Sequence, residues 1–130
     1  PAPGKEEADR TKEAETMRIS VTASGNTVLF ELNDSRAAKA LYAQLPLTAE
    51  IEDFSTNEKV FYPPDKLDTA GTPLADAGKG TLAYYAPWGD VVMFYDRFGS
   101  GGGLYALGQA VSGEDLIETF SGSAEIAAVE

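Results

Sequence analysis

Between Met17 and Leu32 apolar and polar side chains alternate almost without a break, first along Met17-Arg18-Ile19-Ser20-Val21-Thr22-Ala23 and then from Thr27 to Leu32. A period of two puts every second side chain on the same side of an extended backbone, so each run is a half-buried strand rather than an amphipathic helix. In the second run Val28, Phe30 and Leu32 share one face. Ser24-Gly25-Asn26 turns the chain between them, and the two runs pair as an antiparallel hairpin.

The stretch from Gly80 to Gly113 extends this strand-and-turn pattern and holds seven of the thirteen aromatic residues. Leu82 to Tyr85 and Val91 to Tyr95 are apolar runs too short for helices, with Ala86-Pro87-Trp88-Gly89 as a turn between them. Leu47 to Glu52 alternates, and Val60 to Tyr62, Leu104 to Val111 and Ala124 to Ala128 read as further strands. The period changes only after Leu32, where Ala37, Ala38, Leu41, Tyr42 and Leu45 recur at helical spacing, with Asn33 or Asp34 as the cap and Pro46 as the stop. Ser112 is placed to cap a short helical turn over Gly113 to Glu118. Pro63 to Gly80, rich in proline and glycine, is a long loop that either carries function or wraps a strand edge.

About eight short strands with one good helix favour a mainly β fold, a closed antiparallel barrel, because closure removes the edges those strands would expose. With Tyr84-Tyr85-Ala86-Pro87-Trp88-Gly89-Asp90, Phe94-Tyr95, Gly103-Leu104 and Leu107-Gly108 in this order, the chain resembles the bacterial cyclophilin-like domains of undefined function that carry a Tyr-Tyr-x-Pro-Trp-Gly segment. The opening hairpin with its following helix, and Leu107 to Gly113, are also similar to ordinary cyclophilins. The resemblance covers residues 17–130 and implies an eight-stranded cyclophilin-like barrel capped by helices. It does not imply prolyl isomerisation: the arginine and glutamine that cyclophilins use would fall within Asp53 to Asp68, where this chain has neither, and the usual histidine is missing as well.

The chain has no histidine and no cysteine, which removes thiolate chemistry, the Ser-His-Asp triad and the usual zinc sites. A net charge of −11 opposes nucleic acid and anionic membranes, and no apolar run approaches the length of a bilayer span. Residues 1–16, with five acids and three bases, read as a disordered spacer. Because position 1 is proline, the chain looks trimmed, and export to the cell envelope is preferred over a cytoplasmic location.

The candidate ligand-binding residues are Trp88, Arg97, Tyr85, Phe98 and Gly101. Trp88 offers an aromatic platform for a ligand or else closes one end of the barrel. Tyr84 and Tyr85, adjacent on a strand, face opposite ways, and one of them enters the core. Arg97 either pairs with Asp96 or a neighbouring acid or meets a ligand carboxylate. Gly99-Ser100-Gly101-Gly102-Gly103 lacks the Lys-Ser or Lys-Thr and the following helix of a phosphate cradle, and reads as a hairpin loop. Glu50, Glu52 and Asp53 read as a solvated strand face, and Asn33-Asp34-Ser35 as a helix cap. No residue is assigned to catalysis or to a metal, and no cofactor is expected. The functional expectation is a non-enzymatic binding module for a peptide, a partner protein or a small molecule; the alternatives are a residual prolyl isomerase or an accessory domain to a flavodoxin-like redox protein.

Overall fold

The computed structural model describes residues 17–129. The acidic spacer expected over residues 1–16 lies outside the described residues, as does Glu130. The elements follow one another as β1 (Met17–Ala23), β2 (Asn26–Leu32), α1 (Arg36–Tyr42), β3 (Leu47–Phe54), β4 (Glu58–Phe61), β5 (Thr81–Tyr85), β6 (Asp90–Phe94), β7 (Leu104–Ser112), a 3₁₀ turn (Glu114–Thr119) and β8 (Gly122–Val129). The eight strands close into one antiparallel barrel in the order β1-β2-β7-β5-β6-β4-β3-β8. Every strand therefore has two neighbours, which leaves no free edge for another chain to extend.

The opening hairpin has the expected register, Met17 opposite Leu32 and Val21 opposite Val28. Its loop is one residue shorter than the turn signal suggested: Asn26 already pairs with Ala23, and Ser24 and Gly25 bridge the strands at φ 56° and 77°. Two consecutive positive φ values give a turn whose twist matches that of the strands it joins.

The helix departs from expectation at both ends. Its cap is Ser35, whose Oγ accepts the Ala38 N–H at 3.1 Å. Asn33 instead accepts the Ser35 N–H through Oδ1 and donates through Nδ2 to the Ala106 carbonyl, so its side chain ties the helix start to β7. The helix stops at Tyr42, leaving Leu45 outside it but packed against the core. Ser112 likewise belongs to β7 and does not cap the 3₁₀ turn; the preceding residue there is Gly113, at φ 85° and without a side chain to offer.

Strands β5 and β6, and Val60–Phe61 of β4, are largely apolar on both faces for a structural reason. One face, with Phe61, Leu82, Tyr84, Val91 and Met93, joins the main core. The other carries Val60, Ala83, Val92, Phe94 and, from β7, Leu104, which pack with Ala75 and Ala77 as a second cluster. Ala75 and Ala77 come from the Pro63–Gly80 loop, which lies along β7 and the segment after β6. The Ala75 N–H donates to the Leu104 carbonyl at 2.9 Å, the Ala106 N–H to Pro73 at 2.8 Å and the Ala77 N–H to Gly99 at 2.7 Å. The loop is thus a cover over an apolar sheet face, and the absence of alternation in Thr81–Tyr85 and Asp90–Phe94 follows from burial on both sides.

Candidate functional site

The cover is incomplete. Beyond it, on the same sheet face, a cavity of about 290 Å³ is bounded by Phe54, Tyr85, Trp88, Phe94 and Phe98, by Gly101 and Gly102, and by two carboxylates, Glu58 and Asp90. Register explains why they meet. In the β4–β6 pair Glu58 stands opposite Phe94 and Val60 opposite Val92, and in the β5–β6 pair Tyr85 stands opposite Asp90. Residues two apart share a face, so Glu58, Asp90, Val92, Phe94 and Tyr85 all project to this side.

Of the adjacent tyrosines, Tyr84 is the one in the core, 1% exposed, where its hydroxyl accepts the Leu67 N–H at 3.1 Å. Tyr85 is left facing the cavity. Trp88 sits on the β5–β6 turn and does not plug the barrel. Half exposed, it stands edge-on to Phe54 (centroids 5.0 Å apart, planes at 88°) and to Tyr85 (5.6 Å, 74°). These edge-to-face contacts hold the indole upright at the rim. Phe98 lies 5.3 Å from Phe94 and is 47% exposed.

Four of the five residues singled out from sequence, Tyr85, Trp88, Phe98 and Gly101, line this one cavity. Arg97 does not. Its guanidinium points away and pairs with Asp76 at 3.2 Å, while its backbone N–H is capped by the Asp96 carboxylate. Neighbours in an extended segment project to opposite sides, so Phe98 turning inward sends Arg97 outward. The glycine loop is not the hairpin loop expected: it joins β6 to β7, and β5 lies between these two strands in the barrel, so the loop crosses over the end of β5. Glu50, Glu52 and Asp53 are exposed along β3, with Asp53 paired to Lys59. Among the described residues no group of three acids could hold a metal ion.

Glu58 and Asp90 were not singled out by sequence reasoning, yet they are the chemically unusual members of the site. Glu58 is 7% exposed and Asp90 2%. Burial, reinforced by the Asp90 charge, lifts the Glu58 carboxyl from 4.5 to about 7. Burial also lifts Asp90 from 3.8 to about 6, against the help of its own backbone N–H and with added repulsion from Glu52. The Oδ1 atom of Asp90 is fully buried and accepts no hydrogen bond. Among the described residues neither acid forms an ion pair: Lys59, next to Glu58 in sequence, projects to the other face and is held by Asp53.

A second cavity, of about 440 Å³, lies between Asn33–Arg36 and Ala70–Pro73. Of its polar side chains, Asn33 and Ser35 are engaged in capping and Arg36 with Asp68 at 3.3 Å, while Asp34 is exposed to solvent.

The model of the cyclophilin-like family matches residues 21–129. The chain belongs to the cyclophilin-like family. The fold of this cyclophilin-like domain is shared with the solution structure of a hypothetical protein from Archaeoglobus fulgidus, at 17% identity and a TM-score of 0.66 over 87% of this chain and 95% of that one. Nothing among curated proteins matches the cyclophilin-like chain.

Proposed function

We propose that this cyclophilin-like domain is a non-enzymatic binding module that takes its ligand in the pocket between Trp88, Tyr85, Phe54 and Phe98. The observation that carries the reading is the exposure of three large aromatics, Phe54, Trp88 and Phe98, around one concavity that also contains buried, unpaired carboxylates. Exposed apolar rings cost solvation, and a monomeric surface rarely gathers them without a partner to cover them. Tyr and Trp rings also give much contact area for little lost rotamer freedom.

Trp88 is the sole tryptophan, so its emission and its indole N–H signal report directly on the pocket. Titration with proline-containing tetrapeptides and with small aromatic and amine fragments is expected to shift the Trp88 indole and the Gly101 and Gly102 amides together. Trp88→Ala, which removes a half-exposed ring, is expected to weaken binding of whichever probe shifts them by tenfold or more, read from the Gly101 and Gly102 amides. Its melting temperature is expected to stay within a few degrees of the parent. Shifts that leave these three positions untouched while mapping elsewhere on the barrel remove the reading.

Isomerisation of a prolyl bond needs a donor aimed at the twisting amide, and an arginine is missing from the stretch where cyclophilins carry theirs. Arg97, next to the cavity residue Phe98 in sequence, is turned away and paired with Asp76. In a protease-coupled assay an Ala-Pro peptide is expected to relax at its uncatalysed rate, over tens of seconds. Acceleration that falls on mutating Glu58 or Asp90 overturns the non-enzymatic reading.

A further inference from the structure

We infer that the pocket is built for an organic cation that carries N–H donors, a protonated alkylamine or a guanidinium, with its charged head at Asp90 and Glu58 and its alkyl stem among Tyr85, Trp88 and Phe54. The inference rests on this pocket being the binding site.

Three observations lead to it. First, Asp90 is 2% exposed, lines the cavity and leaves Oδ1 without a donor. Buried acceptors are almost always satisfied, and an orphan acceptor on a side chain that lines a cavity marks where a donor belongs. Second, among the described residues the two acids face the same space with no protein cation paired to either. The ionisable groups around Asp90 are Glu52 from β3, Glu58 from β4, and Tyr62 just beyond it, all acidic. Lys66 runs its stem beside Gly89 yet forms no ion pair with Asp90. Lys59 and Arg97 are committed to Asp53 and Asp76. An anionic ligand meets only repulsion here, and a neutral one leaves a charge uncompensated.

Third, the acids stand beside aromatic rings. Tyr85 is the cross-strand neighbour of Asp90 and meets Trp88 edge to face, an arrangement that covers one ring face of the pair and brings π surface next to the carboxylates for a cation and its methylenes. The cavity of about 290 Å³ lies at the small end of ligand sites, the size of a charged head on a short chain and too small for a folded segment. The net charge of −11 adds a long-range attraction for cations. Burial supports the same conclusion: it holds both acids partly protonated, and a bound cation displaces those protons.

The test uses the unmodified domain and follows Trp88 emission and the Gly101 and Gly102 amides. Butylguanidinium is titrated beside butylurea, which keeps the shape and most donors but lacks the charge. At pH 8 butylguanidinium is expected to bind at least tenfold more tightly than butylurea. Lowering the pH to 5, where both carboxyls are protonated, is expected to reduce the butylguanidinium affinity about tenfold and leave butylurea unchanged. Asp90→Asn and Glu58→Gln are each expected to erase most of the preference; the pH series on the parent protein needs no variant and stands even if one of these misfolds. Butylammonium beside Nα-acetyl-lysine methylamide tells whether the cation arrives as a free amine or on a polypeptide.

Equal affinity for the charged and neutral probes overturns the cation while leaving the pocket as a binding site. A preference that survives in both variants, or that does not fall with pH, also overturns it. If no probe moves Trp88 or the pocket amides at concentrations on the order of 50 mM, where even small fragments register, both the cation and the site fall.

Discussion

Replacing Gly108 by alanine is expected to leave most of the chain unfolded, or within about 1–2 kcal/mol of unfolding, at 25 °C. Gly108 sits in β7, opposite Leu32 of β2 on one side and Leu82 of β5 on the other, in the middle of the barrel wall. A Cβ there would lie 2.2 Å from the Glu31 carbonyl oxygen, 2.9 Å from the Leu32 Cα and 3.0 Å from the Glu31 carbonyl carbon. All three are backbone atoms, so no side-chain rotation relieves the contact. The β2–β7 seam must part by roughly an ångström, which weakens its ladder and pulls on Asn33, whose N–H donates to Leu107 at 2.7 Å. In a closed barrel one opened seam exposes two edges and the core behind them.

Overpacking typically costs about 1–3 kcal/mol, and a contact with backbone that no rotamer relieves belongs at or above the top of that range, about 3 kcal/mol or more, a large part of the total stability of a small domain. Urea denaturation followed by circular dichroism measures it. Gly102→Ala is the control, because nothing lies within 4 Å of its added Cβ, and it is expected to cost less than about 1 kcal/mol. A Gly108→Ala chain that unfolds at nearly the parental urea concentration refutes the account.

The same wall shows what could be read without coordinates. The alternation of Met17 to Leu32 fixes which side chains enter the core, and the run of short strands already implies closure. Tyr85, Trp88, Phe98 and Gly101 could be gathered from sequence because they lie within one hairpin and its following loop, where neighbours in space are also neighbours along the chain. Glu58 and Asp90 could not. Each is a lone acid at the start of an apolar strand, in a chain with 21 acids, and only the β4–β6 register across some thirty residues turns both to the same face. Of the two readings open for Arg97, a pair with a neighbouring acid or a place at the ligand, the structure has the pair, with Asp76: closeness to Phe98 in sequence says nothing of direction, and in extended backbone it argues for the other side. A usable signal did exist at Asp90, where an acid follows a turn and precedes four consecutive buried residues, Val91 to Phe94. The Ser35 cap was hidden because Asn33, Asp34 and Ser35 are all good capping residues, and the choice fell to the bond between Asn33 and β7.

The stability of the domain is expected to fall as the pH rises from about 4.5 to 8, and Glu58→Gln with Asp90→Asn is expected to remove most of that fall. Both carboxyls hold protons more firmly in the folded chain than in the unfolded one, Glu58 at about 7 against 4.5 and Asp90 at about 6 against 3.8. Between the unfolded and folded values the native state binds more protons, so raising the pH favours unfolding. Below pH 4 neither group costs anything; above pH 7 both are buried charges without partners. A move from 4.5 to about 7 corresponds to roughly 3 kcal/mol and that of Asp90 to slightly less, but the two share one repulsion, so together they amount to about 3–4 kcal/mol. This runs opposite to the usual case of a carboxylate held by an ion pair, whose protonation on acidification removes stability. The double variant, neutral at every pH, is expected to gain on the parent by about 2–3 kcal/mol between pH 4.5 and pH 8, or about 10 °C in melting temperature for a domain of this size. Calorimetric scans of parent and variant across that range give the difference directly. Parallel stability curves for the two proteins show that Glu58 and Asp90 ionise freely in the folded state, and the burial that sets the pocket apart then has no electrostatic consequence.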